Sequence, residues 1–210
     1  MVIGIIGKKY SGKTTAANFL KEYFISKGYS VQLMAFADAL KTMILKAGLC
    51  THDELYVEKT DFSRMILQKI GTDIFRDQVD PDFWVKKLRT AIENLDKQIV
   101  IIHDIRFKNE ANLVIELGRN GKLIKILRNF EDSENKQFKN HRSETEVDSI
   151  VCENIIVNDN LSFFKGMVID AAKKILENIK KGDMKNEKIV FSWIAFLCSF
   201  GLLNRFGCSI

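Results

Sequence analysis

A chain of 210 residues with a formal charge of +5 can bury the core of one domain without disulfides or structural metals. Lysine and arginine form no basic stripe interleaved with aromatic side chains, so nucleic acid is not expected as a partner. The four cysteines are scattered, which fits free thiols, and the N-terminal MVIGIIG lacks the basic region of a secretory signal. We therefore expect a cytoplasmic protein.

The first half of the chain alternates apolar runs of strand length with amphipathic helical patterns. Gly28 and Gly48 each follow a helical pattern, as expected of residues that end helices. In chain order we predict a strand over Val2–Ile6, a helix over Lys13–Lys27, a strand over Val31–Phe36, and helices over Ala37–Ala47, Arg64–Ile70 and Phe83–Leu95.

The second half continues this alternation. In chain order we predict a strand over Gln98–Ile102, a helix over Lys108–Leu117, strands over Lys122–Leu127 and Asn154–Val157, and a helix over Phe163–Ile179. Strands that alternate with helices indicate an α/β fold, here a five-stranded parallel sheet with helices on both faces. The polar segment at about 129–148 has few apolar anchors and is predicted to be mobile.

The alternation ends near residue 182, which predicts a domain over 1–182 and an apolar C-terminal tail over 183–210. The tail contains Ile189–Leu203, 15 residues without a charge that follow a lysine-rich segment. Two interpretations stay open: a helix packed on the domain or on a second subunit of a homodimer, and a membrane tether flanked by basic residues. A spanning helix needs roughly 20 apolar residues, which favours the first interpretation.

The segment IIGKKYSGKTT, Ile5–Thr15, joins the first predicted strand to the first predicted helix. Its Gly-x-x-x-x-Gly-Lys-Thr pattern is the phosphate-binding loop (P-loop) in the strand–loop–helix context that this motif requires. Loop amides and the helix N-terminus attract phosphate, and Lys13 is expected to bridge the terminal phosphates of ATP while Thr14 binds Mg²⁺. The residues predicted to hold the nucleotide are Gly7, Ser11, Gly12, Lys13, Thr14 and Thr15.

Asp104 and Arg106, in HDIRFKNE, come just past the end of the third predicted strand. Open parallel sheets gather ligand-binding groups at this edge. Asp104 is therefore a candidate second metal ligand, and Arg106 a candidate catalytic cation that neutralises charge on a transferring phosphoryl group. Each has a plainer interpretation, since Asp104 could cap the following turn and Arg106 could be a surface residue.

Several blocks, taken in order, resemble the phage-type deoxynucleoside monophosphate kinases, which are P-loop enzymes of the nucleoside monophosphate kinase group. SGKTT matches the phosphate loop of that family, and LQKIGTDIFRDQVDPDFWVKKL resembles its most distinctive block, a Gly-Thr-Asp followed by a Trp-Val-Lys. FADALK, DIRFKNEAN, HRSETEVD and IIVNDNLSFF resemble its other blocks. The resemblance runs from Met1 to about Ile179, whereas the tail matches nothing in the family.

The resemblance implies transfer of the γ-phosphoryl group of ATP to a deoxynucleoside 5′-monophosphate, with small-molecule nucleotides as partners. The implied acceptor-site residues are Asp38, Lys41, Arg76, Trp84 and Glu110. Arg76 would grip the acceptor phosphate and Trp84 would stack on its base. In the alternative interpretation Arg76 lies on a helix surface and Trp84 in the core.

The resemblance also makes the polar segment at 129–148 a lid, from which Arg142 would close over the phosphates as a catalytic cation. Asn158, after the fifth predicted strand, would lie near the donor adenine, or would be a turn residue. Two other functions stay open: a different P-loop kinase acting on phosphomevalonate or dephospho-coenzyme A, and a module that binds ATP without catalysis.

Overall fold

The computed structural model describes residues 1–118, 122–128 and 142–178. The chain divides into two compact units, Met1–Ile169 and Asp170–Ile210, and the described part of the second unit, residues 170–178, is helical. The predicted tail, the predicted boundary at residue 182 and most of the predicted lid, 129–141, lie outside the described residues and stay predictions. Within the described ranges, no helix combines the length and apolar character needed to cross a bilayer.

The first unit contains the predicted five-stranded sheet, and all of its strand pairs are parallel. The strands are β1 Val2–Ile6, β2 Val31–Met34, β3 Ile99–Ile105, β4 Lys122–Leu127 and β5 Asn154–Val157. Their order in the sheet is β2-β3-β1-β4-β5. Because β1 lies at the centre, the loop that follows it emerges at the middle of the carboxyl edge, where parallel sheets bind ligands.

Helices cover both faces of the sheet, as predicted. They are α1 Lys13–Ser26, α2 Ala37–Lys46, α3 His52–Tyr56, α4 Asp61–Gln68, α5 Phe83–Glu93, α6 Lys108–Leu117 and α7 Arg142–Thr145, with residues 161–169 also helical. Alternate β1 side chains face opposite ways, and Val2 and Ile6 join the core cluster that contains Val114 of α6. A Cβ on Gly4 would lie 2.4–3.0 Å from side chains that include Val114, so α6 packs closely because this residue is glycine.

Two strands end differently from their prediction. β2 stops at Met34 rather than Phe36, because the Ala35 amide donates to the Asp38 carboxylate (2.8 Å) as the chain turns into α2. β3 continues to Ile105 rather than ending at Ile102. The prediction that Asp104 follows the strand was therefore wrong, and the residue lies within the carboxyl end of β3.

The helix predicted over Arg64–Ile70 is longer at both ends. It begins at Asp61, because the Thr60 hydroxyl accepts the Ser63 amide (3.1 Å) as an N-cap. It then runs without a break into an 11-residue π-helix, Lys69–Val79. Gly71 within that segment gave no helical signal, but its carbonyl accepts the Trp84 indole N–H (2.8 Å). π-Helical segments are rare and occur frequently at functional sites.

Candidate active site

A cleft of about 1370 Å³ opens at the carboxyl edge of the sheet. We refer to the phosphate loop, residues 7–15 from the end of β1 into the first turn of α1, as its loop side. Its helical side consists of α2, residues 58–68 with α4, the π-helix, and residues 103–107 at the end of β3 and just after it. Among the described residues, nine basic side chains line the cleft against four acidic ones. The basic residues are Lys8, Lys9, Lys13, Lys41, Lys59, Arg64, Arg76, Arg106 and Arg128, and the acidic residues are Glu58, Asp61, Asp104 and Glu110. This excess of positive charge favours a polyanionic ligand.

The two glycines of the phosphate loop have steric reasons to be glycine. Gly12 has a φ of +99°, in the left-handed region, and a Cβ there would lie 2.4 Å from Asn158 Nδ2. A Cβ on Gly7 would lie 2.5 Å from Ser11 Oγ and 2.8 Å from the Ile126 carbonyl oxygen. The loop is therefore packed tightly from behind, which fixes the direction of its backbone amides.

Other loop residues are arranged around this backbone. Ser11 Oγ is buried and has no hydrogen-bond partner within the described residues, whereas Lys13 Nζ donates to the Lys8 carbonyl oxygen (2.5 Å). Thr14 and Thr15 line the cleft at the first turn of α1.

The structure places Asn158 behind the loop. Its amide donates to the Ser11 carbonyl oxygen (2.9 Å) and so braces the segment that the two glycines shape. Asn158 is absent from the described lining of the cleft, and its predicted contact with the donor adenine stays a prediction.

Asp104 connects the sheet to the helical side. Its two carboxylate oxygens accept the Phe36 amide (2.8 Å) and the Ala37 amide (3.0 Å) at the N-terminus of α2. It therefore caps α2 rather than the turn that follows β3, and an anion at this end of a helix is stabilised by the helix dipole. Asp104 also lines the cleft, so both its structural contact and its predicted metal contact are compatible with its position.

The structure brings together Asp38 and Lys41 in the first turns of α2. Burial raises the pKa of Asp38, aided by the charge of Asp104 and opposed by the hydrogen bond from Ala35. Burial lowers the pKa of Lys41, whose ammonium lies 4.1 Å from the centre of the Tyr56 ring and lines the cleft. Lys41 is among the described residues that line the cleft, whereas Asp38 is not, and contact of either residue with the acceptor stays a prediction.

Arg76 lies in the π-helix with only 3% of its surface exposed. Its Nη2 donates to Glu110 Oε1 (2.5 Å), and its Nη1 donates to the Pro81 carbonyl and to Asn109 Oδ1 (both 3.1 Å). The interpretation of Arg76 as a helix-surface residue was therefore wrong. Its Nε is buried without a partner in the described part of the chain, and its contact with the acceptor phosphate stays a prediction.

Glu110 is buried beside Arg76 and organises the segment after β3. Its second carboxylate oxygen accepts the Arg106 amide (2.8 Å) and the Phe107 amide (3.2 Å), which holds the backbone of Arg106 at the cleft. Burial raises the pKa of Glu110 to about 7, opposed by the charge of Arg76 and increased by that of Asp104. Its bonds lie within the protein, and direct contact with substrate stays a prediction.

The position of Trp84 is compatible with both interpretations, a core residue and a residue at the acceptor site. Its side chain is buried, donates to the Gly71 carbonyl and packs against Phe75 and Phe83, as a core tryptophan would. It also lines the cleft. Stacking on an acceptor base therefore stays a prediction that its position allows.

Arg142 lies at the start of α7 and forms ion pairs with Asp77 (2.8 Å) and Glu146 (3.2 Å). It is not among the described residues that line the cleft. The structure thus gives Arg142 partners outside the phosphate-binding region, and its closure over the phosphates stays a prediction.

Three basic side chains of the helical side act on a fourth, Lys59, and we call Lys41, Lys59, Arg64 and Arg106 the four-cation cluster. The pKa of Lys59 reflects these neighbouring charges. Desolvation by the cleft walls, followed by the charges of Lys41, Arg106 and Arg64, lowers the pKa of Lys59 to about 8, and Asp104 opposes this effect. Like charges placed together in this way favour the binding of an anion.

Sequence reasoning missed three residues that line the cleft, Lys59, Arg64 and Tyr10. One signal for the first two was available, because Thr60 followed by Asp61 is a helix N-terminus that would have placed Lys59 and Arg64 at the start of α4. Tyr10 has a φ of +60°, and no local pattern predicts that a tyrosine adopts a left-handed conformation.

The residues fit a magnesium ion that the nucleotide itself brings. Among the described residues, no group of three or more His, Cys, Asp or Glu side chains could hold a metal. Thr14 and Asp104 are oxygen donors in the cleft. Magnesium usually keeps several waters and binds through one or two protein oxygens plus substrate phosphates, so a sparse donor set is what it needs.

Two comparisons of the sequence with known proteins indicate the same family. A family model described as deoxynucleotide monophosphate kinase matches residues 53–164, more than half of the chain. A protein of Acanthamoeba polyphaga mimivirus with the name "Putative deoxynucleotide monophosphate kinase" is 32% identical over 184 residues, which cover 76% of this chain and 89% of that protein.

Among solved structures, the chain is similar to a shikimate kinase from Acinetobacter baumannii in complex with shikimate, with 16% identity and a TM-score of 0.43, covering 86% of this chain and 93% of that one. It is also similar to a gluconokinase from Sinorhizobium meliloti, with 12% identity and a TM-score of 0.45, covering 86% and 96% of the two chains.

Proposed function

Because the chain belongs to the deoxynucleotide monophosphate kinase family, we propose that it transfers the γ-phosphoryl group of ATP to a deoxynucleoside 5′-monophosphate. The bond between the γ-phosphorus and the β–γ bridging oxygen breaks, and a bond from an acceptor phosphate oxygen to that phosphorus forms. The products are ADP and a deoxynucleoside diphosphate. Such transfer depends on positioning and charge neutralisation rather than on a protein nucleophile.

One observation carries this proposal: the phosphate loop and the four-cation cluster line the same cleft. The loop suits the triphosphate of the donor, and the cluster suits a second phosphorylated molecule. Arg106 and Lys41 come from different parts of the fold, the segment after β3 and α2. A protein that only bound ATP would need the phosphate loop but not the four-cation cluster.

Magnesium bound with ATP would neutralise part of the phosphate charge, and Thr14 and Asp104 are the residues that would hold it. Lys13 would hold the terminal phosphates, with loop amides beside it. Arg106, whose backbone is fixed by Glu110, would neutralise charge on the transferring group.

The proposal is tested by ADP release across acceptors: the common deoxynucleoside monophosphates, the matching ribonucleotides, phosphomevalonate, dephospho-coenzyme A and no acceptor. We expect release that depends on a deoxynucleoside monophosphate. Preference for either non-nucleotide acceptor would assign a different P-loop kinase. ATP binding without acceptor-dependent release would assign a binding module.

Asp104→Asn should raise the magnesium concentration needed for half-maximal rate by several-fold at fixed ATP, because a neutral amide is a poor ligand for this ion. The amide oxygen can still accept one of the two α2 amides, so the fold should persist. Asp80→Asn, which alters a carboxylate bonded to Lys86, is the matched control. An unchanged magnesium curve together with a lower melting temperature would leave Asp104 only its capping contact.

Acceptor and ATP binding should weaken as pH rises through about 8, because Lys59 then loses its proton and the cleft loses one positive charge. A bound anion favours the charged ammonium, so binding near pH 8 should be accompanied by proton uptake. Calorimetry in two buffers of different ionisation enthalpy measures this uptake. Lys59→Arg, which stays charged, should abolish it, and uptake that persists in this variant would assign the titration to another group.

A further inference from the structure

Tyr10 is held in an unfavourable backbone conformation by several contacts. Its φ of +60° lies in the left-handed region, which costs a non-glycine residue free energy. Arg128 Nη1 donates to its carbonyl oxygen (3.3 Å), and the Ser11 amide donates to the Lys8 carbonyl (3.2 Å) across the same turn. The ammonium of Lys9 lies 4.4 Å from the centre of its ring. The loop therefore directs the tyrosine ring to a defined place.

The end of that ring meets the helical side of the cleft. Arg64 Nη2, from α4, donates to the Tyr10 hydroxyl oxygen (2.7 Å), and the guanidinium lies 5.7 Å from the ring centre. The two residues are separated by 54 positions in the chain, and both line the cleft. This hydrogen bond therefore joins the loop side directly to the helical side.

Arg64 is held there against repulsion. The charge of Arg64 lowers the pKa of Lys59, as do the charges of Lys41 and Arg106, so Arg64 lies within a group of like charges. An arginine side chain is long and flexible and would reduce this repulsion by turning into solvent. The neutral Tyr10 hydroxyl is a partner that keeps the guanidinium in place without cancelling its charge.

We propose that Tyr10 is a positioning residue that holds Arg64 between the two nucleotide sites, where the guanidinium contacts the phosphate of the acceptor. This assignment rests on the proposed kinase function. It gives Arg64 a place in the reaction that neither the sequence motifs nor the family resemblance indicated. Tyr10 itself does not touch the reacting atoms, and it acts through the orientation of Arg64.

The test compares Tyr10→Phe, Arg64→Ala and the double variant in steady-state kinetics. Tyr10→Phe should lower kcat/KM for the acceptor by about tenfold, as expected for one lost hydrogen bond to a charged group, and change the KM for ATP by less than about twofold. Arg64→Ala should have a larger effect on the same parameter. In the Arg64→Ala background, Tyr10→Phe should have almost no further effect.

Two controls separate positioning from general damage. Tyr23→Phe on α1 and Arg89→Lys on α5 change the same residue types outside the described lining of the cleft, and both should retain the wild-type rate. Calorimetry with a bisubstrate analogue, adenosine joined to a deoxynucleoside through a chain of phosphates, should show the same non-additive losses without turnover. The affinity for ATP alone should stay at the wild-type value in Tyr10→Phe.

Two results would overturn the assignment while leaving the proposed function intact. The first is an equal loss of ATP affinity in Tyr10→Phe, which would show that the tyrosine only shapes the loop. The second is a Tyr10→Phe effect that persists undiminished in the Arg64→Ala background. A wild-type protein that neither turns over a deoxynucleotide nor binds the analogue would overturn both the function and the assignment.

Discussion

Replacement of Lys13 by alanine should lower acceptor-dependent ADP release by about 100-fold or more, since a positioned charge on the transferring phosphoryl group lowers the barrier by roughly 3–4 kcal/mol. The ammonium donates to the Lys8 carbonyl of its own loop, at the surface of the protein. An exposed bond of this kind adds little stability. The expected loss is therefore one of rate, with the melting temperature nearly unchanged.

Lys21→Ala is the matched control, because Lys21 lies on the same helix, α1, but is not among the described residues that line the cleft. Lys13→Arg adds a second comparison. It preserves the charge but replaces a compact ammonium with a planar group, and we expect it to recover little activity. A Lys13→Ala protein that works at nearly the wild-type rate would remove the donor site from the phosphate loop.

Most of the sheet could be predicted because its signals are local. β1, β4 and β5 have the predicted bounds, since short apolar runs between turns are typical of buried parallel strands. β3 was predicted too short, because its last residues include His103 and Asp104 and polar residues weaken a strand pattern. The strand continues because Ile105 pairs with Ile6 of β1, while His103 and Asp104 line the cleft.

The loop side of the candidate site could be predicted from one motif, and strand-edge position and family resemblance also indicated Lys41, Arg76, Trp84, Asp104, Arg106 and Glu110, which line the cleft. The phosphate loop is a local pattern, so its glycines, Lys13 and Thr14 were identified directly. The helical side depends on contacts between distant segments: Arg76 and Glu110 are 34 residues apart, and Tyr10 and Arg64 are 54 apart. No periodicity reports such pairs. The π-helix that places Arg76 was likewise hidden, because Gly71 and Thr72 are poor helix formers and tertiary bonds fix that segment.

Replacement of Arg76 by alanine should lower the free energy of unfolding by about 3–5 kcal/mol, because it leaves the Glu110 carboxylate buried without its guanidinium partner. Urea unfolding measures this loss. Arg89→Ala, which breaks an exposed pair with Glu116, is the control and should cost at most about 1 kcal/mol. An Arg76→Ala protein of wild-type stability that only binds the acceptor less tightly would assign Arg76 wholly to the substrate.

The loss in Arg76→Ala should also depend on pH. Burial already raises the pKa of Glu110 to about 7, and removal of Arg76 takes away the main charge that opposes this shift. A carboxyl group whose pKa is raised in the folded protein stabilises it below the ordinary pKa, and this contribution disappears as pH rises through the folded value. The Arg76→Ala protein should therefore come closest to wild-type stability near pH 5 and fall furthest below it above pH 7.

A double variant that removes both charges of the buried pair should avoid the loss of stability expected for Arg76→Ala. In Arg76→Met with Glu110→Gln, the buried pair is replaced by a neutral one, while the glutamine oxygen can still accept the Arg106 and Phe107 amides that Glu110 now binds. Most of the lost stability should return, and its dependence on pH should vanish, because no buried carboxyl group remains to titrate. Activity should stay low if the free Nε of Arg76 contacts the acceptor, so the double variant separates the stability due to this pair from its part in binding.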